Sequence, residues 1–422
     1  MTGGLVPGIP SPGKHNNHLS WAKKPELLML DFNKLAGQLP ELSRYLTQET
    51  LANRQKLQVA QELLRQAIDH QPDWVERLAT AGSALGFSPA VPLEPLTTKV
   101  TIPPAPPVHT VLATDGSQIA PSHHEAVYCY LINIGYVLLH YGSGRLPRLD
   151  SIPEVFYQPQ DLYQCRQWGI RTEEWLGHRR TQLEATILAE LATDWRTQGV
   201  SEPAVALVDG SLTYWFLEGL PAPARSLILT PIFEAWQVCQ RLGVPLMSYL
   251  SAGRSLEVMN FLRLGLCPHL VPDCQSHCDG HTEGAPCDKL KPLRDTTLMQ
   301  TWLEPGQRGP LWRSTNRILE HYGEQQVIFC YVNVGTEIAR VEFPAWVAAE
   351  KKLLDQGLSL LLAQVAKGYG YPVALAEAHN QAVVRAGDRA RFFAMIEEQL
   401  QRSGLGQLLP SAKESRKRES LA

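Results

Sequence analysis

With 422 residues, 44% of them hydrophobic, the chain is long enough to bury a large core and to form two or three structural units. Its 39 basic and 42 acidic residues exclude a protein-wide basic field, so any nucleic-acid surface has to be a local patch. No apolar run approaches the roughly 20 residues of a membrane span, and the start of the chain lacks the apolar stretch of a secretory signal. We therefore expect a soluble, cytoplasmic protein whose eight cysteines are reduced thiols or metal ligands.

The two ends of the chain and its first quarter carry few signals of a sheet. Residues 1–20, rich in Gly, Pro, Asn and His, are predicted to form a flexible tail, and residues 401–422 a charged one. Between the first tail and the proline-rich segment that starts at residue 88, apolar residues recur at helical spacing. This pattern predicts a helical arm over residues 21–87. Residues 88–107 contain prolines that neither a helix nor a central strand tolerates, and this segment is interpreted as a linker.

From residue 108 onward the pattern changes to that of an α/β protein. The runs "HTVLATDG", "EAVYCYLIN" and "GYVLLHYGSG" predict three sequential antiparallel strands, because Gly and Asn separate them. A helix over about residues 172–198 and a fully buried strand, "PAVALVDG", follow. This order predicts a ribonuclease-H-like mixed sheet core flanked by helices, with the fourth strand beside the first. Later strands are expected at "PLMSYLS", "QVIFCYVNVG" and "IARVEFP", and helices at "PIFEAWQVCQRLG", at "SLEVMNFLRLG" and beyond residue 348.

Two of the apolar runs end on the same tripeptide, Asp-Gly-Ser, at Asp115 and at Asp209. An Asp at the carboxyl end of a buried strand projects into the crevice where α/β sheets bind ligands, and the Gly allows a sharp exit. If the two strands are adjacent and parallel, the carboxylates repel unless they are protonated or bridged by a hard cation such as Mg²⁺ or Mn²⁺. One copy is equally well a plain turn, but two copies separated by one helix favour a paired site.

A third carboxylate is expected on the intervening helix, in "HRRTQLEATILAEL", where the candidates are Glu184 and Glu190. The helix runs antiparallel to the strand that ends at Asp209. A strand of roughly 17–20 Å corresponds to about 12 or 13 helical residues, and counting back from the end of the helix reaches Glu184. We therefore favour Glu184, whose alternative role is an exposed ion pair with Arg180 one turn earlier.

Six motifs occur in a fixed order over about residues 108–393: "ATDGSQIAPSHH", "LINIGYVLLHYG", "RRTQLEA", "LVDGSL", "RVEFPAW" and "GYPVALAEAHNQAVV". This part of the chain resembles the NurA nucleases, which process DNA ends and act with a hexameric HerA-type translocase. The resemblance implies a NurA-like nuclease domain over residues 108–400. It also implies Mn²⁺- or Mg²⁺-dependent cleavage of single-stranded DNA and DNA ends in DNA repair, by a homodimer, with a HerA-like translocase as a candidate partner.

The resemblance also assigns residues to the site. The first motif Asp of the family falls on Asp115, its helix Glu on Glu184 and its second strand-end Asp on Asp209, while its late Tyr and His fall on Tyr371 and His379. Asp115, Glu184, Asp209 and His379 are then expected to hold the metal ions of a two-metal hydrolysis. Tyr371 is expected to hold the phosphate or orient the attacking water.

A second cluster of potential ligands lies in "CPHLVPDCQSHCDGHTEGAPCDKL", within a predicted insertion over residues 267–295. It contains Cys267, Cys274, Cys278 and Cys287, with His269, His277 and His281 among them. A loop with so few apolar residues favours a structural metal, and tetrahedral Zn²⁺ is preferred to an iron–sulfur cluster. The spacing is not that of paired Cys-x-x-Cys modules, so a loop that is merely rich in cysteine stays an alternative.

Weaker signals leave two other functions open. Arg254, Ser255 and Arg263 lie at a strand-to-helix junction that could bind a DNA phosphate, although such residues are more often a surface face and a helix cap. The rings of "LTYWFLEG" could stack unpaired bases, but consecutive rings point in different directions, so most are expected in the core or at a dimer contact. The main alternative to an enzyme is a non-catalytic DNA-binding or translocase-partner subunit with the same fold. An actin-like phosphotransferase also places Asp-Gly at strand ends, but its glycine-rich nucleotide loops are not evident.

Overall fold

The structure, a computed structural model, describes residues 31–278 and 284–405. The predicted flexible tail, most of the predicted charged tail and His281 lie outside these residues. The helices are α1 Phe32–Ala36, α2 Leu39–Asp69, α3 Gln71–Ala81, α4 Pro159–Tyr163, α5 Thr172–Thr197, α6 Ala222–Arg241, α7 Glu257–Arg263, α8 Cys274–Cys278, α9 Asp295–Gln300, α10 Ala345–Ala349, α11 Lys351–Lys367, α12 Val373–Ala382 and α13 Ala386–Arg402. The strands are β1 Val91–Pro92, β2 Val100–Thr101, β3 His109–Ile119, β4 Tyr130–Tyr141, β5 Arg148–Phe156, β6 Ala204–Asp209, β7 Leu246–Leu250, β8 Gln307–Arg308, β9 Trp312–Arg313, β10 Val327–Asn333 and β11 Ile338–Pro344.

The chain divides into two compact units, residues 1–54 and 55–422. Within the first unit, residues 31–54 are mainly helical and none of them is buried. Within the second unit, the later part of α2 buries Ala60, Leu63, Leu64 and Ala67 in a core shared with α3 and α7. The predicted helical arm, 21–87, is therefore helical over most of its described length, but its residues from 55 onward belong to the larger unit.

The second unit is built on one mixed sheet, to which all eleven strands of the described residues contribute. The strands β3, β4 and β5 form an antiparallel meander, β6 lies parallel to β3, and β7 lies parallel to β6. The predicted adjacency of the first and fourth strands of the core is confirmed by the pairing of residues 110–114 with residues 204–208. The antiparallel strands β11 and β10 extend the sheet beyond β7.

Helices cover both faces of this sheet, which makes the fold a mixed α/β one. Side chains alternate along β3, so Leu112 faces the core under α5 and α6, whereas Val111 and Ala113 face the core under α11 and α12. The strand β6 alternates in the same way, with Ala206 on the first face and Leu207 on the second. Two buried faces explain why "PAVALVDG" contains no polar alternation. None of the described helices is long and apolar enough to cross a bilayer.

The meander is divided differently from the prediction. The second and third predicted strands, "EAVYCYLIN" and "GYVLLHYGSG", overlap a single strand, β4, and Gly135 lies within it. The third strand of the meander is β5, which the sequence did not indicate. It is the edge of the sheet, it is exposed at every position except Ser151 and Phe156, and it contains Pro153, so it lacks the alternation of a half-buried strand.

The predicted linker, 88–107, also contributes to the sheet. Val91 and Pro92 pair with β9, and Val100 and Thr101 pair with β8, so the segment is part of the larger unit. Prolines are compatible with these short strands because they lie at the margin of the sheet. The other predicted domain boundaries stay predictions.

Candidate active site

Three carboxylates line one cavity of about 270 Å³ between the sheet and α5. Asp115 lies on β3, Asp209 ends β6, and Glu184 lies on α5. The last register pair of the two parallel strands is Thr114 with Val208, so Asp115 and Asp209 are the next residues on neighbouring strands. All three carboxylates that the sequence predicted to meet therefore line the same cavity.

The first Asp-Gly-Ser is not the end of a strand, contrary to the prediction. The strand β3 continues through it to Ile119, pairing with β4 throughout. Gly116 is required there for space: a Cβ atom on it would lie 2.5 Å from Glu184 Oε1 and 2.6 Å from Arg180 Cγ. The glycine lets α5 place its carboxylate directly over the strand beside Asp115.

The second Asp-Gly-Ser does end its strand. Gly210 has a φ of 86°, a left-handed conformation that favours glycine. The Ser248 hydroxyl donates to the Gly210 carbonyl at 2.5 Å, and the Ser211 hydroxyl and the Leu212 amide each donate to Glu342 Oε2 at 2.8 Å. The turn that presents Asp209 is thus held by a hydrogen bond from the neighbouring strand β7 and by two that its own residues donate to β11, the strand beyond β7.

The carboxylate that anchors this turn belongs to a buried ion pair that the sequence analysis missed. Arg340 and Glu342, 2% and 1% exposed, lie two residues apart on β11, with Arg340 Nε 2.7 Å from Glu342 Oε1. Arg340 also contacts Glu257 Oε1 at 2.8 Å and donates to the Ser255 hydroxyl at 2.9 Å. Two charged residues in the otherwise apolar strand "IARVEFP" were the available signal, since buried charges are generally paired.

The same contacts correct the predicted phosphate site at the start of α7. The Asp295 carboxylate accepts hydrogen bonds from the Val258 and Met259 amides at 3.0 and 2.8 Å, so the helix N-terminus already has an anionic partner. Ser255 accepts from Arg340, and Arg263 is buried at 2% exposure. Of the three predicted residues, Arg254 is the exposed one.

Glu184 is held in the same cavity as the two aspartates by its helix. The Thr114 hydroxyl donates to the Glu184 carbonyl at 3.0 Å, which fixes α5 against β3, and Arg180 Nε lies 3.3 Å from Glu184 Oε1. Burial raises the pKa of Glu184 to about 8; Arg180 opposes the rise, and Asp115 and Asp209 add to it. Glu190 is exposed and lines a different groove between α5 and α6, so it is Glu184 that shares the cavity with the aspartates.

Asp209 keeps solvent exposure at the end of its strand, yet its carboxyl is partly desolvated inside the cavity. This desolvation raises the pKa of Asp209, a hydrogen bond from the Tyr371 hydroxyl lowers it, and the Asp115 carboxylate raises it further. Tyr371 packs edge-on against Tyr249, with 5.5 Å between the ring centroids. Tyr371 therefore contacts the site through Asp209.

His379 reaches the site from α12. Its Nδ1 lies 2.7 Å from Asp115 Oδ2, while 65% of the imidazole side chain is exposed. The end of α12 is bound to the sheet because the Ser117 hydroxyl and the Asn133 amide both donate to the Ala382 carbonyl. Asp115 orients one ring nitrogen of His379 and leaves the other directed away from that contact.

The donor set fits a hard divalent cation, because it consists of three carboxylates and one imidazole. Desolvation is the main cause of the raised pKa values of Glu184 and Asp209, and the neighbouring carboxylates add a repulsion that such a cation would relieve. In residues 31–278 and 284–405, no three His, Cys, Asp or Glu side chains are grouped closely enough to complete a metal site as they stand. Asp115 instead hydrogen-bonds His379, so these side chains would have to rearrange to bind a cation.

The raised pKa of Glu184 predicts how stability changes with pH. The folded protein binds a proton here up to a pKa of about 8, whereas the unfolded chain loses it near 4.5, so the free energy of unfolding falls as pH rises between these values. We expect Glu184→Gln to remove this component, giving a flatter curve of Tm against pH in EDTA and a variant more stable than wild type at pH 8. Glu190→Gln, on the exposed side of the same helix, should keep the wild-type slope. Parallel curves for wild type and Glu184→Gln would contradict the assignment.

Comparison with known proteins identifies the family. A model of the NurA domain matches residues 109–384, which is most of the chain. No curated protein matches the chain. The crystal structure of the NurA nuclease from Sulfolobus solfataricus is similar over 80% of this chain and 94% of that one, with 12% identity and a TM-score of 0.44. The family match confirms the resemblance carried by the six motifs: the chain belongs to the NurA domain family.

Proposed function

We propose that the protein is a metal-dependent nuclease that hydrolyses phosphodiester bonds in single-stranded DNA and at DNA ends. The observation that carries this proposal is the cavity where Asp115, Glu184 and Asp209 meet, with His379 and Tyr371 hydrogen-bonded to two of them. The family supports a nuclease. The order of the central strands, β5-β4-β3-β6-β7, supports a ribonuclease-H-like core.

The site residues have separate roles in hydrolysis: some would bind the metal, and others orient a ligand or transfer a proton. Asp115, Glu184, Asp209 and His379 would hold Mn²⁺ or Mg²⁺, which when bound supplies positive charge that activates a water and neutralises the transition state. Tyr371 orients the Asp209 carboxylate through its hydroxyl, and Asp115 orients the His379 ring. The outer nitrogen of His379 is then able to take or return a proton at the mouth of the cavity.

The aromatic residues at the carboxylate cavity favour single-stranded DNA as the substrate. Phe216 lines the cavity and stacks on His178 at 5.3 Å, and the neighbouring Trp215 is 63% exposed. Exposed aromatic rings stack unpaired bases, which a duplex does not present. Arg180 also lines the cavity and carries a guanidinium that can contact a backbone phosphate. An unpaired end would therefore bind with its bases on the rings and its phosphate over the carboxylates.

Three finer features are proposed from the family: a role in DNA repair, a homodimer and a HerA-like translocase partner. A cytoplasmic location stays a proposal made from the sequence. The competing function is a non-catalytic DNA-binding or translocase-partner subunit. The complete set of carboxylates speaks against that alternative, because a subunit without turnover has no need of three mutually repelling side chains.

The test is the degradation of end-labelled single- and double-stranded DNA with Mn²⁺, Mg²⁺ or EDTA. We expect cleavage with the metals and none in EDTA, with single-stranded DNA cut faster. Glu184→Gln should slow cleavage about 100-fold because one charge at the reacting centre is removed, while Glu190→Gln should stay within about twofold of wild type. If wild type binds DNA but does not cut it with any metal, the partner-subunit function replaces the nuclease.

A further inference from the structure

Four cysteines far from the carboxylates in sequence line a second cavity, of about 440 Å³. Cys267 follows α7, Cys274 and Cys278 begin and end α8, and Cys287 lies shortly after the segment 279–283. Cys274 and Cys287 are buried at 6% exposure each. Half of the cysteines in the chain therefore meet around one space, as the sequence pattern indicated.

The volume of this cavity, about 440 Å³, is larger than one ion fills. Tetrahedral Zn²⁺ holds thiolates at about 2.3 Å, which brings the sulfur atoms within about 4 Å of one another. Four cysteines around a larger space are the arrangement that binds a polynuclear iron–sulfur cluster.

We propose that Cys267, Cys274, Cys278 and Cys287 bind a 4Fe–4S cluster. This differs from the Zn²⁺ favoured by the sequence alone, and it is independent of the nuclease proposal, because none of these residues lines the carboxylate cavity.

A buried arginine, which also pairs with Asp288 at 3.8 Å, contacts one of the four cysteines. Arg263 is 2% exposed, its Nη2 donates to Cys287 Sγ at 3.7 Å, and its Nε donates to the Cys287 carbonyl at 3.0 Å. Its guanidinium also stacks on Phe87, which lines the cavity, at 3.9 Å from the ring centroid. Hydrogen bonds to the ligating sulfurs stabilise an anionic cluster and tune its potential.

The surrounding loop is ordered by polar contacts rather than by a core. Arg77 on α3 donates to the carbonyls of Leu264, Cys267, His269 and Leu270. Leu270 and Val271, the apolar residues of this loop, are 89% and 46% exposed. A cluster held by four side chains supplies the cross-link that such a loop otherwise lacks.

The experiment is metal and sulfide analysis of the full chain, purified anaerobically and reconstituted with iron and sulfide. We expect about four iron and four sulfide per chain, with a broad visible absorption that dithionite bleaches. Cys274→Ser and Cys287→Ser should lower iron to below about one per chain. The buried Cys239→Ser, in the core between α5 and α6, and His277→Gln, at the cavity, should leave iron unchanged.

The iron and sulfide content of the wild-type chain decides the proposal by itself, because this measurement does not depend on whether a variant folds. One zinc per chain without iron overturns the cluster and restores a single-ion site, in which case His277→Gln should lower the zinc content. If the reconstituted protein contains neither iron nor zinc, both the cluster and the single-ion site are overturned. DNA cleavage is measured separately, so failure of the nuclease proposal leaves this result intact.

Discussion

Replacing Asp115 and Asp209 together with alanine is expected to lower metal-dependent DNA cleavage by at least about 1,000-fold. The two carboxylates come from adjacent parallel strands and line the same cavity as Glu184, so their removal leaves one carboxylate to hold a cation. Each single variant should be nearly as inactive as the pair, because residues that act as a unit do not contribute additively. The rate of cleavage of end-labelled single-stranded DNA in Mn²⁺ measures this effect.

A matched double variant tests whether the loss of two negative charges, rather than the loss of the active-site carboxylates, lowers cleavage. Asp150→Ala with Glu154→Ala also removes two carboxylates, but from the exposed edge strand β5, and should cleave like wild type. The active-site double variant should melt at a higher temperature in EDTA, because it loses the desolvation of the Asp209 carboxyl and the repulsion that the two aspartates add at Glu184. Wild-type cleavage by this variant would place the chemistry elsewhere in the molecule.

The arrangement of the three carboxylates could be predicted because rigid elements convert sequence separation into distance. A helix rises by a fixed length per residue, so the choice of Glu184 over Glu190 needed only the length of a strand. Parallel pairing of β3 with β6 followed from the order of the elements, and it places Asp115 beside Asp209. Both steps use local geometry, which the sequence encodes directly.

The roles of the glycines could not be predicted, because they depend on a partner distant in sequence. Gly116 and Gly135 were both interpreted as signals of a turn or a strand end, yet both lie inside strands. Each is small because a helix packs on it: α5 on Gly116 and α12 on Gly135. A glycine that allows close packing has the same sequence signature as one that allows a turn.

The ion pair of Arg340 and Glu342 shows the same limit for charged residues. The sequence shows two charges in an apolar strand, but it does not show that Glu342 accepts hydrogen bonds from the turn after Asp209. The partner of a buried charge is set by tertiary packing, and here packing connects β11 to the strand end that carries a candidate ligand. The cysteine cavity likewise needed the fold, since the sequence does not show that the four cysteines line one space of about 440 Å³.

Gly135→Ala is expected to destabilise the protein by about 3 kcal/mol and to lower DNA cleavage together with it. A Cβ atom at this position would lie 2.3 Å from the Ala382 nitrogen and 2.4 Å from the Ala378 oxygen, which are backbone atoms that cannot rotate away. The helix α12 must therefore move off β4, and it carries His379 away from Asp115. Urea denaturation measures the first effect and cleavage of single-stranded DNA measures the second.

The control is Gly177→Ala in α5, where a new Cβ atom meets no atom within 4 Å. Alanine is favoured over glycine inside a helix, so this variant should be as stable as wild type or more so, by up to about 1 kcal/mol, with unchanged cleavage. If α12 acts by positioning His379, then His379→Ala should slow wild type strongly but should add little to Gly135→Ala, since both remove the same contact. Full additivity of the two losses would mean that the displaced helix affects cleavage by a route that does not pass through His379.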